Sequence, residues 1–172
     1  MLPSSRDAVW LGAGIAIGAA AAKALSSAKT TTCTLQPPKR VFKLCVKSEL
    51  DAFQKSGKVE SSLDRTDGFI HLSDRTSPPK VADLFFNGAK DLYILELDAT
   101  RLEGLTQWVV GVMGEGAPSK EKLKTADTTV HYLIADGCVH VYGAPGVGMH
   151  LVTQMEHVPL GSDGKHVFPV WL

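Results

Sequence analysis

Short segments of alternating apolar and polar residues are the clearest pattern in the chain. One of them, residues 67–73, reads DGFIHLS. Because successive side chains of a strand point to opposite faces, Ile70 and Leu72 are predicted to face the core. The other face of this strand then carries Phe69, His71 and Ser73.

A second segment, residues 136–143, repeats the arrangement with the letters DGCVHVYG. Here Val139 and Val141 are predicted to face the core, and the opposite face carries Cys138, His140 and Tyr142. An Asp-Gly pair between two apolar runs is a strong hairpin signal, so Asp136-Gly137 is predicted to join this strand to the preceding one. The two segments together predict two strands that each present a histidine away from the core.

The remaining pattern predicts a mixed α+β fold, mostly antiparallel, with about seven or eight strands and two or three short helices. Helices are expected from Ser48 to about Gly57 and from Pro78-Pro79 to Gly88. Residues 61–66 are interpreted as a polar connection and residues 113–129 as a long loop. The other strands are expected at residues 41–46, 91–98, 108–112, 130–135, 156–160 and 166–170.

The N-terminal part of the chain differs from the rest because Ala8 to Ala22 contains no charged residue. This run, extended to Leu25, is interpreted as a membrane anchor, with a cleaved targeting peptide and an apolar soluble helix as alternatives. Basic residues after the run favour a domain on the cytoplasmic or an equivalent reducing side, and cleavage would instead deliver it to an organelle. Three parts are expected: the hydrophobic segment 1–25, a Ser/Thr/Pro linker 26–39 and a single globular domain 40–172.

Composition narrows the classes of function. The formal net charge is zero, so no basic field is available to hold nucleic acid, and none is expected as a partner. The three cysteines lack the spacing of a disulfide framework or of a zinc site. No metal site is therefore predicted from the spacing of the ligands.

Several motifs in order resemble the uncharacterised domain-of-unknown-function family 952 (DUF952). The resemblance rests on Phe42-Lys43, on the block from Asp64 to Ser73 and on the strand from Asp91 to Asp98. It continues with an H-x-Y-G segment at His140 to Gly143 and a P-L-x-x-D-G tail at Pro159 to Gly164.

The resemblance implies an ADP-ribosyltransferase-like fold, in which two packed sheets surround a cleft for a nicotinamide dinucleotide. It thereby implies NAD or an ADP-ribose-like nucleotide as ligand and an ADP-ribosyl or glycosyl transferase as the enzyme class. Many family members have glutamate after the tryptophan, whereas Trp108 is followed here by Val109, and Glu115 is the candidate substitute. A membrane-tethered module that retains the fold without catalysis is the alternative function.

On these grounds His71 and His140 are the candidate catalytic residues, since histidine titrates near neutral pH. Arg65, Ser73 and Tyr142 are the candidate ligand-binding residues, through a phosphate, a hydroxyl and a stacking ring respectively. Two weaker hypotheses use the same residues: a Cys138–His140 nucleophile pair, and a metal site built from His71, His140 and Asp67.

Overall fold

The computed structural model describes residues 36–172. The predicted anchor, Ala8 to Leu25, lies outside these residues, and so does most of the predicted linker. Within residues 36–172 no helix is both long enough and apolar enough to cross a bilayer. The prediction of a membrane-anchored protein facing the reducing side of a membrane is corrected on this finding. The division of the chain into three parts stays a prediction.

The domain is built on one seven-stranded sheet with the strand order β4-β5-β6-β2-β1-β3-β7. Neighbouring strands are antiparallel except β4 and β5, which run parallel. The strands are β1 Arg40–Val46, β2 Ile70–Ser73, β3 Leu92–Asp98, β4 Thr106–Gly111, β5 Thr128–Leu133, β6 Cys138–Tyr142 and β7 Val152–Val158.

Four short α-helices connect and cover the strands: α1 Lys47–Ser56, α2 Ser62–Asp67, α3 Pro78–Phe85 and α4 Lys120–Leu123. Helix α1 begins at Lys47, one residue before the predicted Ser48, and the carboxylate of Glu49 accepts a hydrogen bond from the backbone N–H of Val46. The predicted end of α1 is confirmed: Gly57 follows the helix with φ 75°, a left-handed conformation that glycine adopts without strain.

Apolar side chains pack on both faces of the sheet, which is why its central strands are buried on both sides. The larger core lies on one face and contains Ile70, Leu72, Val139 and Val141, as the alternation predicted. The smaller core packs α3 and the C-terminal segment against β1 and β3, and it contains Phe42, Leu44, Ala82, Leu92, Ile94 and Val158.

The fold differs from the predicted one in its sheet. The α+β class is confirmed, but the seven strands form one mixed sheet rather than two packed antiparallel sheets. Segments 156–160 and 166–170 are not two full strands; β7 ends at Val158, and only a bridge between Leu160 and His166 follows. Part of the predicted long loop 113–129 forms α4 and the start of β5.

Segment 61–66, predicted as a polar connection, is helical. Ser61 caps the start of α2, and Gly68 follows its last residue with φ 77°. The turn signal at Asp67-Gly68 therefore marks the end of a helix. This difference is important for the site, because α2 brings a carboxylate to His71.

Candidate functional site

Three histidines lie side by side across the middle of the sheet. His140 on β6 is in register with His71 on β2 and with His131 on β5, so the three side chains share one face. The ring centres of His71 and His140 are 5.4 Å apart, and those of His140 and His131 are 6.5 Å apart. We call His71, His140 and His131 the histidine row.

His71 is held at one end of the row by Asp64 of α2. The Oδ1 atom of Asp64 accepts hydrogen bonds from the backbone N–H of His71, at 2.9 Å, and from its Nδ1, at 2.8 Å. The other ring nitrogen, Nε2, is 3.2 Å from the carboxylate of Asp67. Because the side chain of His71 remains 31% exposed while Asp64 is buried, Nε2 is the nitrogen available to a ligand.

A buried lysine completes the support of His71. Lys43 Nζ donates to both carboxylate oxygens of Asp64, at 2.7 and 2.9 Å, and to the backbone carbonyl of His71 at 3.0 Å. Burial alone would raise the pKa of Asp64, but the hydrogen bond from His71 and the charge of Lys43 outweigh it and hold that pKa well below its usual range. Asp64 is therefore a carboxylate at any ordinary pH.

The position of Asp64 follows from a local sequence signal. Ser61 and Asp64 form a capping box, in which Ser61 Oγ accepts from the N–H of Asp64 and the Asp64 carboxylate accepts from the N–H of Ser61. The same carboxylate thus fixes the start of α2 and orients His71. The S-x-x-D spacing at residues 61–64 was the signal from which this helix and its buried carboxylate could have been predicted.

Phe69 forms an aromatic cluster with the exposed end of the row. Its ring centre is 4.4 Å from those of both His71 and His140 and 5.0 Å from that of Tyr142. All four side chains are half-buried. Burial, followed by the charge of Asp67, raises the pKa of Tyr142, so its hydroxyl is a neutral hydrogen-bonding group.

His140 lies in the middle of the row and is the histidine most disfavoured as a cation. Burial, followed by the neighbouring His71 and His131, lowers its pKa to about 4. His140 is therefore neutral at physiological pH, with one nitrogen that can accept a proton.

The far end of the row is closed by Glu115. His131 is only 4% exposed, and its Nε2 is 3.9 Å from the Glu115 carboxylate. Burial lowers the pKa of His131, although Glu115 opposes that effect. Val109 is the residue of β4 in register with His131. Val109, the strand neighbour of His131, has no carboxylate, and Glu115 places one next to His131 instead.

A shallow cleft of about 230 Å³ lies where β2 begins and β6 ends; Phe69 of the aromatic cluster lines it, whereas none of the three histidines does. The cationic Lys58 and Arg65 and the acidic Glu60 and Asp64 contribute to its wall, so the two signs of charge are equally represented. The Gly/Pro loop 143–148 forms the opposite side, and the bridge between Lys58 and Gly148 ties that loop to the end of α1.

The structure brings together only some of the predicted site residues. His71, His140 and Tyr142 meet around Phe69 as described, and Arg65 lines the cleft while lying 3.5 Å from Glu60. Ser73 is buried, is in register with Phe42 and Cys138, and does not line the cleft.

The two weaker hypotheses find no support in the geometry. Burial raises the pKa of the Cys138 thiol, and nearby Asp136 adds to this effect, so the thiol is a poor nucleophile. Among residues 36–172, no three His, Cys, Asp or Glu side chains are arranged to hold a metal ion.

Lys43, Asp64 and His131 were not recognised from the sequence as members of the site. Lys43 and His131 each stand in a strand whose neighbours are apolar, and nothing in the pattern shows that their polar atoms meet a partner. Their roles depend on the register of the sheet and on the placement of α2.

Comparisons with known proteins agree with the motif pattern. Residues 44–155, more than half of the chain, match the family described as protein of unknown function DUF952. No curated protein matches the chain.

Two solved structures of protein CC0527 from Caulobacter crescentus resemble the domain. The crystal structure is 25% identical, with a TM-score of 0.53, and the match covers 74% of this chain and 93% of that one. A double-mutant crystal structure of the same protein gives 23% identity, a TM-score of 0.50 and the same coverage. These findings do not support the ADP-ribosyltransferase-like grouping, but the family match is extensive enough to conclude that the chain belongs to the DUF952 family.

Proposed function

We propose that this domain binds a small ligand with ribose or phosphate groups, such as a nucleotide, at the exposed end of the histidine row. The observation that carries the proposal is the contact between Asp64 and His71. A buried carboxylate, itself fixed by Lys43, orients the imidazole so that Nε2 faces the partly exposed carboxylate of Asp67. Such support of a histidine is typical of ligand-binding and catalytic sites, where a ring nitrogen must be held in place.

The surroundings of His71 favour a ligand with both a ring and an anionic group. Phe69 and Tyr142 offer half-buried aromatic surface next to the imidazoles, which suits stacking. The nearby cleft offers the cations of Lys58 and Arg65, which suit a phosphate, beside the carboxylates of Glu60 and Asp64. The cleft is smaller than the ~300–1,000 Å³ of usual ligand pockets, so it would accept one part of a nucleotide rather than all of it.

In this proposal His71 Nε2 hydrogen-bonds a ligand hydroxyl in place of Asp67, and Tyr142 supplies a second hydrogen bond. The guanidinium of Arg65 gives up its contact with Glu60 and binds a phosphate of the ligand instead. Ser73 has no direct role, because its side chain is buried.

Calorimetric and thermal-shift titration of the full chain with NAD, ADP-ribose and AMP tests the proposal. We expect saturable binding of at least one of them, and loss of that binding in His71→Ala with the melting temperature nearly unchanged. His157→Ala is the matched control, because His157 is exposed on β7, three strands away from β2.

Binding that survives His71→Ala would contradict the proposed site. If none of the three compounds binds, the proposed ligand class is wrong.

A further inference from the structure

We propose that this chain forms a dimer by antiparallel pairing of β4 with β4 of a second copy, which joins the two seven-stranded sheets into one continuous sheet. The pairing uses the outer edge of β4, at the end of the sheet opposite β7. His71, at the exposed end of the histidine row, lies on β2, three strands away from β4. The dimer therefore leaves the proposed ligand site open and does not depend on it.

The outer edge of β4 is the first argument. Within residues 36–172 every strand pairing of β4 is with β5, so the backbone N–H and C=O groups that point the other way have no strand beside them. Such an edge is a template for another strand, and proteins usually protect it with charged residues or proline. Residues 104–114, which read GLTQWVVGVMG, contain neither.

The other edge of the sheet, β7, is protected in this usual way. It carries the exposed side chains of Glu156 and His157. Trp171 Nε1 donates a hydrogen bond to the carboxylate of Glu156 at 2.7 Å, and His157 Nε2 is 2.9 Å from the backbone carbonyl of Lys90. The contrast between the two edges identifies β4 as the one that is suited to pairing.

The larger core extends to β4 and ends there uncovered. Trp108 and Val110 are in register with Val130 and Tyr132, which are both buried in that core. Trp108 packs edge-on against Tyr132, with 6.1 Å between ring centres, whereas Val110 is 54% exposed. Further exposed apolar side chains lie at either end of the strand: Leu105, Val112 and Met113. An apolar surface that continues a core in this way is typical of a protein–protein contact.

The absence of charge favours a second copy as the partner. In antiparallel pairing about a two-fold axis, opposite residues share a face, so Trp108 and Val110 meet the same apolar face of the second copy. No like charges come together, because residues 104–114 carry none. A charged partner strand would instead bring unpaired charges into an apolar contact, which is unfavourable.

Sedimentation equilibrium of the full chain across a dilution series measures the association. We expect a particle of two chains that dissociates on dilution. Val110→Lys should raise the dissociation constant by ~10-fold or more, because it places a charge in the apolar contact and protects the edge. Met155→Lys is the matched control, since Met155 is an exposed apolar residue on β7, and this variant should associate as the parent does.

Hydrogen exchange supplies a readout that needs no variant. Amides of β4 should exchange faster when the protein is diluted, whereas those of β7 should exchange equally at both concentrations. Circular dichroism verifies that each variant is folded. A chain that is monomeric at every concentration would overturn the proposal, and so would a dimer that persists in folded Val110→Lys or is lost in Met155→Lys. An assembly larger than a dimer would also overturn it, because a two-fold contact closes after two copies.

Discussion

Asp64 is the residue on which the site depends most. Its two oxygens accept hydrogen bonds from Ser61, Lys43 and His71, so a single buried carboxylate joins a helix start, a strand and the histidine row. A carboxylate without partners would be very unfavourable in this position, and the lysine compensates for its charge. The ion pair of Lys43 and Asp64 therefore serves mainly to orient His71, and it adds little net stability to the fold.

Lys43→Met should destabilise the domain by ~3–5 kcal/mol, the usual cost of removing one partner of a buried ion pair. The reason is that Asp64 would remain buried and charged but would lose the cation that compensates its charge. Chemical denaturation monitored by circular dichroism measures this loss in the unfolding free energy.

Lys47→Met is the matched control, because Lys47 pairs with Asp51 on the exposed surface of α1. Such a pair contributes about 0–1 kcal/mol, so this variant should unfold nearly as the parent does. Equal losses in the two variants would show that the buried pair has no special role.

Phe69→Ala tests how the aromatic cluster controls the histidines. Removing the ring exposes His140 to water, so its pKa should rise from about 4 towards the ordinary value of 6.5. Titration of the histidine ring signals by NMR measures the shift.

Phe85→Ala is the comparison, since Phe85 is 56% exposed on α3. The Phe85→Ala variant should leave the pKa of His140 unchanged. An unchanged His140 pKa in Phe69→Ala would mean that the ring does not shield the row.

At the scale of elements, β4 lies so close to the histidine row that there is no room for a side chain at Gly111. A Cβ atom on Gly111 would overlap the Nε2 of His131 and crowd the Glu115 carboxylate. The backbone of β4 thus forms the wall against which His131 is buried. Gly111 is needed for close approach rather than for backbone flexibility.

Gly111→Ala should therefore lower stability by ~1–3 kcal/mol, the typical cost of overpacking, and displace the ring of His131. Gly116→Ala is the matched control, because no atom lies within 4 Å of its added Cβ. Denaturation curves report stability, and NMR of the His131 ring reports its displacement. A Gly111→Ala variant with the stability and the His131 signals of the parent would contradict the close contact.

At the scale of the whole molecule, the site makes the stability of the fold depend on pH in two ranges. His140 has a lowered pKa in the folded state, so its contribution is complete above 6.5 and is lost between 6.5 and about 4. Asp64 also has a lowered pKa, so its contribution is complete above the ordinary carboxyl value of 3.8 and is lost only below it. Stability should thus decline in two successive stages on acidification.

We expect the first stage to amount to on the order of 2 kcal/mol, after allowance for the partial exposure of His140. Denaturation at pH 7, 5.5 and 4 measures it. His140→Gln should remove most of this stage, leaving a smaller part due to His131, whereas His157→Gln should retain all of it. A decline between pH 7 and 4 that is identical in the parent and His140→Gln would disprove the assignment.

The sequence by itself determined which residues face the core and where many elements lie. The alternation of apolar and polar residues predicted that Ile70, Leu72, Val139 and Val141 face the core, and all four are buried. The reason is that a strand has only two faces, and apolar side chains occupy the face that is shielded from water. The Asp136-Gly137 hairpin and the helix at Pro78 were also predicted, since both depend on local backbone preferences. The motif order sufficed to indicate the DUF952 family.

Only the tertiary structure decided how distant residues meet. The strand order places β6 between β5 and β2 and so aligns three histidines that are far apart in sequence. Lys43 reaches Asp64 across 21 residues, and no local preference encodes that contact. The single sheet in place of two likewise follows from long-range pairing, which a pattern of period two cannot specify.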